Sequence, residues 1–199
     1  MNSRSYRVLA SLLFTFILAA CASTPASKAP EQDNLAVAKR FLHSWGAGEA
    51  GMAAFQKNLE QTYQEQPGLA ELMQRAFADI TEQDFEDLAA RVYVRHLNQE
   101  QLMELAQFTE SPTGNRFFRM AVAGAMEGKP LTGDDMARQF NADELTEIVR
   151  FSQSDGFVAL KQNMPTINRE LGEEGRQMGE TKMREYLERT GQASIGKSG

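Results

Sequence analysis

From residue 33 onward, apolar side chains recur at three- and four-residue spacing, and this constrains the chain more than any other feature. Leu35, Ala38, Phe41, Leu42 and Trp45 lie on one face of a helix that Asp33 can cap and that Gly46 and Gly48 can end. Met52, Phe55 and Leu59 continue the stripe in a second helix, which Pro67-Gly68 should stop. Leu69, Leu72, Met73, Ala76 and Phe77 form a third. Thr81 followed by Glu82 and Asp84 reads as an N-cap with acid in the first turn, and Phe85, Leu88, Val92 and Tyr93 then face a core. The one β-prone stretch, Val92-Tyr93-Val94, sits inside a helical pattern, and no hairpin turn separates alternating runs. The expected fold is therefore all-α, a helical bundle. The single cysteine among 199 residues rules out an intrachain disulfide, so packing alone must hold the bundle together.

The bundle should contain two related helix-break-helix units, at about residues 97–120 and 140–162. Asn98 aligns with Asn141, Leu102 with Leu145, Glu104 with Glu147, Leu105 with Ile148 and Phe108 with Phe151. Ser111 aligns with Ser154 at the same offset and, after a one-residue gap, Gly114 aligns with Gly156. Asn98 and Asn141 are suited to cap the first helix of each unit. Ser111 and Ser154 are suited to cap the second, with Pro112 at the first helical position, where a missing N–H costs nothing. Two copies are too few for a solenoid, so a compact bundle with pseudo-twofold character is expected.

The stretch LNQEQLMELAQFTESPTGNRFF, with its glutamine- and acid-rich start, Leu102, Leu105, Phe108 and Ser111-Pro112-Thr113-Gly114, resembles the bacterial family catalogued as domain of unknown function 2059. The resemblance spans about residues 80–165. It departs from the family pattern at Thr109, where tyrosine is common, and in the second copy, which lacks the proline. It implies an all-helical, exported protein and carries over no catalytic residue.

The N-terminus points the same way. Arg4 and Arg7 precede an almost wholly apolar run, Val8 to Ala20, too short for the ~20 residues of a membrane-spanning helix. Leu18-Ala19-Ala20-Cys21 resembles the lipobox of bacterial lipoproteins, and an ordinary signal peptide with Ala-x-Ala cleavage is the alternative. The lipobox implies a signal peptide over 1–20 and a lipid-carrying Cys21. More than one acyl chain on that residue would anchor the protein to a membrane stably. Ala22, rather than aspartate, after the cysteine points by the same resemblance to the outer membrane, facing the periplasm. Residues 21–32, broken by Pro25 and Pro30, read as the lipidated Cys and a flexible tether. The helical domain then covers 33–190, and 191–199 is a Gly/Ser tail.

Charge and motifs limit function further. Loss of residues 1–20, with two arginines and no acid, takes the net charge from −6 to −8. That balance argues against nucleic acid as a partner. Gly191 to Ser198 spells the phosphate-loop pattern, but a helix precedes it and no room remains for a helix after it, so no nucleotide is expected. Ser194 and Lys197 match a Ser/Lys hydrolase pattern on the same tail. His43 and His96 lack the neighbours of a metal site, and the scattered methionines suit adaptable core filling, so no metal or other cofactor is expected.

Two functional readings follow. One is a non-catalytic module, anchored through Cys21, that binds another envelope component, such as a protein. The other is a carrier for an apolar ligand held between the repeat helices, at Phe117, Phe118, Phe157 and Leu160, residues that could equally fill a core. Gly172, Gly175 and Gly179 in the last helix are open in the same way. They permit close approach by a helix or a ligand, or they mark a loosely packed, marginal helix.

Overall fold

The computed structural model describes residues 29–129 and 131–191. The chain divides into two units, Met1–Pro30 and Glu31–Gly199. Almost all of the first, including Cys21 and the apolar run before it, lies outside the described residues. Among the described residues there are nine α-helices and no strand, an all-α bundle. None of these helices is long and apolar enough to cross a membrane.

Helix α1 (Ala29–Trp45) begins earlier than its sequence suggests, so Asp33 lies a turn inside it rather than capping it. Ala29–Gln32, expected within the tether, are helical. Pro30 is compatible with this because the first N–H groups of a helix have no intrahelical acceptor in any case. Gly46 breaks the chain at φ +82°, a left-handed conformation that glycine adopts without penalty, and α2 (Ala47–Glu65) follows at once. Gly48 therefore does not end α1. It lies inside α2, where a Cβ would stand 2.6 Å from the Glu82 carbonyl oxygen.

Helix α3 (Pro67–Ala76) starts on its proline. Helix α4 (Glu82–His96) starts at Thr81, whose backbone N–H donates to Asp84 Oδ2 at 2.8 Å. Leu88, Val92 and Tyr93 are buried as expected, and burial pushes the Tyr93 phenol up to about 12.

The two helix-break-helix units are α5 (Gln99–Glu110) with α6 (Pro112–Met126), and α8 (Ala142–Ser152) with α9 (Asp155–Arg189). Asn98 Oδ1 accepts from the Gln101 N–H, and Asn141 Oδ1 accepts from the Glu144 N–H. Gln101 and Glu144 return the bond to the cap residue's own N–H, which completes a capping box in each unit. Ser111 and Ser154 cap the second helices by accepting from the Gly114 and Phe157 N–H groups.

The units pack against each other reciprocally. The equivalent rings of Phe108 and Phe151 stack, with centroids 3.7 Å apart and planes within 9°. Glu147 accepts from Ser111 Oγ at 2.9 Å, while Glu104 accepts from the Gly156 N–H at 2.7 Å. Each unit's glutamate thus reaches the break of the other unit. The exchange is approximate, through a hydroxyl in one direction and a backbone N–H in the other, as a pseudo-twofold relation between the units allows.

Between the units, α7 (Gly133–Gln139) had no counterpart in the apolar periodicity. Its signal was a capping box: the Thr132 N–H donates to Asp135 Oδ2, and Asp135 N–H donates to Thr132 Oγ1. Hydrogen bonds from the Thr132 hydroxyl, then the Thr132 N–H and Arg138, hold the Asp135 carboxyl below its usual range. Helix α9 spans 35 residues, with Pro165 inside it, and joins two cores. Its first half contributes Ala159, Leu160 and Ile167 to the main core, beside Phe41, Leu42, Val92, Leu102 and Leu105. Its second half contributes Met178, Met183 and Tyr186 to a smaller core around Ala76, Phe77 and Ile80.

Candidate functional site

The last three glycines of α9 locate the site. A Cβ on Gly172 or Gly175 would meet nothing within 4 Å, and one on Gly179 would meet only Phe77 Cζ, at 3.8 Å. No helix approaches there closely enough to require glycine. Each nevertheless costs about 1 kcal/mol of helix propensity against alanine. What the missing side chains leave is a cleft of about 610 Å³ along α9, open on one side. That volume falls within the ~300–1,000 Å³ of small-molecule sites.

The cleft lies where the two cores meet. Leu171, Gly172, Gly175, Met178 and Gly179 form its α9 wall, with Arg176 at the edge. Facing them from α2 are Ala47, Gly51, Ala54 and Phe55, again mostly small residues, with Asn58 beyond them. Met73, Phe77 and Ile80 close one end, and Phe85, Leu88 and Ala89 of α4 form the floor. Leu42 and Trp45, at the end of α1, complete the lining. No Asp or Glu is among these residues. The cleft continues past Arg176 and Gly179 into a shallower trough that includes Leu69, Met183 and Leu187.

Polar groups at the cleft are few. The buried Trp45 Nε1 has no hydrogen-bond acceptor among the described residues, a condition that costs about 1–3 kcal/mol. Arg176 is exposed and pairs with Glu180 one turn on. Beside the cleft, Lys182 donates to Asp79 at 2.9 Å, tying α9 to the α3–α4 turn. This bond raises the Lys182 pKa and lowers that of Asp79. Arg95 holds Glu174 at 2.8 Å and joins α9 to α4. His96 Nε2 lies 3.0 Å from Glu170 Oε2, which lowers the Glu170 pKa.

The sequence-predicted pocket residues lie elsewhere. Phe117, Phe118, Phe157 and Leu160 all pack in the main core. Phe118 meets Phe41 edge-on at 5.7 Å and Phe117 at the same distance, and Phe157 meets Phe151 at 5.1 Å. The structure brings the four together as packing: the reciprocal interface between the units is filled by its own rings. His43 is exposed and lies 3.1 Å from the buried Glu86, while Ser44 Oγ bonds Phe41 O and Thr109 Oγ1, so no nucleophile-base pair forms there. No cluster of three or more His, Cys, Asp or Glu able to hold a metal ion occurs among the described residues. Cys21 and most of the Gly191–Ser198 motif fall outside them.

Comparison with protein-family models, curated proteins and solved structures finds no match to this chain. The resemblance to the domain of unknown function 2059 family therefore rests on its sequence motif alone.

Proposed function

We propose that this protein is a non-catalytic binding module of the bacterial envelope that takes an apolar ligand into the cleft between α9 and helices α2 to α4. In this reading it is anchored to a membrane by acylation of Cys21, at the outer membrane on the periplasmic side. The observation that carries the proposal is the open face at Gly172, Gly175 and Gly179. These glycines lower helix propensity and relieve no crowding, so the hollow they leave accounts for them best. The mainly apolar lining favours an apolar ligand over a polar one. An envelope protein remains the alternative partner, reached from the same anchor.

The test uses the full chain and the neutral apolar dye N-phenyl-1-naphthylamine. Gly175→Leu places a side chain in the cleft, because nothing lies within 4 Å of its Cβ position. We expect the dye to bind the parent protein and to bind the variant about tenfold or more weakly, with helicity unchanged. Equal binding to both would refute the cleft as the site. The anchor is checked separately: labelled palmitate should enter the parent protein in cells and be absent from Cys21→Ala.

A further inference from the structure

We propose that the ligand is a single-chain amphiphile with a carboxylate head, its chain in the cleft and its head at Arg176; this rests on the cleft being the binding site. The wall is hydrocarbon and thioether, and Met73 and Met178 beside bare glycine backbone form an adaptable surface suited to a flexible chain. The volume fits one small molecule rather than a folded segment. Charge complementarity identifies the head. Among the described residues Arg176 is the only charged one lining the cleft, and none of those lining it supplies a carboxylate, although the protein as a whole is acidic.

A guanidinium presents two parallel N–H donors that match a carboxylate. Its present partner, Glu180, belongs to the adjoining trough, and both side chains of that pair are more than half exposed. An exposed pair of this kind contributes little, so an incoming carboxylate can displace Glu180 readily. The structure thus holds the head-group site closed by an internal carboxylate that a ligand can replace.

Dodecanoate, dodecanol and dodecyltrimethylammonium, each below its micellar concentration, are compared as displacers of N-phenyl-1-naphthylamine from the full chain. Dodecanoate should displace the dye at about tenfold lower concentration than dodecanol, and the cation should be weakest. Arg176→Gln should remove the advantage of the acid over the alcohol. Glu180→Gln should increase that advantage by freeing the guanidinium. Equal displacement by acid and alcohol, or an advantage that survives Arg176→Gln, overturns the head-group assignment while the cleft stands. Dye binding that Gly175→Leu does not weaken removes the cleft reading and this inference together.

Discussion

Gly114→Ala is expected to destabilise the domain by about 3 kcal/mol or more, at the upper end of overpacking penalties. The added methyl group would overlap the Phe108 carbonyl oxygen, which is backbone and cannot rotate away. The chain turns so tightly from α5 into α6 that residue 114 packs on the last turn of the helix before it. The equivalent Gly156→Ala should also destabilise, but by less, because its Cβ would stand 2.7 Å from Gln101 O, again a backbone atom but farther off than the Phe108 oxygen is at Gly114. Gly175→Ala should have the opposite sign and stabilise by about 1 kcal/mol through helix propensity alone. Urea unfolding followed by far-ultraviolet circular dichroism ranks the three. A Gly114→Ala protein as stable as the parent would contradict the break geometry.

Phe108→Ala should cost about 3–5 kcal/mol, the range for removing a buried aromatic ring. Phe108 stacks on its own counterpart, Phe151, and also meets Phe117 and Phe118 edge-on at 6.2 and 6.3 Å. The double variant with Phe151→Ala should lose about 0.5–1.5 kcal/mol less than the sum of the two single losses, the coupling expected of an aromatic pair. Val149→Ala, on an exposed face of α8, should change stability by less than about 0.5 kcal/mol. Strict additivity at the phenylalanine pair would contradict the reciprocal packing of the two units.

The repeat was legible because caps are chemistry at fixed spacing. Asn98, Asn141, Ser111 and Ser154 each bond the backbone groups their positions imply. The reciprocal contacts were not legible, since the alignment of Glu104 with Glu147 does not say that each caps the partner unit's break. Asp33 misled as a helix start because Pro30 and Glu31, just before it, also suit a first helical turn, and helix boundaries follow the whole local context. Helix α7 escaped notice because it buries almost no apolar face.

The site was the least legible part. Aromatic side chains at Phe117, Phe118 and Phe157 suggested a lining, yet large rings at helical spacing fill the interface they create. The hollow formed where side chains are absent. A glycine pressed against backbone, such as Gly114, and a glycine facing open space, such as Gly175, look alike in sequence. The available signal was the coincidence of two small-residue faces, Ala47, Gly51 and Ala54 on α2 and Gly172, Gly175 and Gly179 on α9.

The chain contains one tryptophan, Trp45, and it lines the cleft. Its emission during titration of the full chain with dodecanoate therefore reports directly on occupation of that space. We expect a saturable change in intensity and a blue shift in the parent protein, and neither in Gly175→Leu. A Trp45 spectrum that stays constant while dodecanoate binds would place the ligand elsewhere and contradict the proposed site.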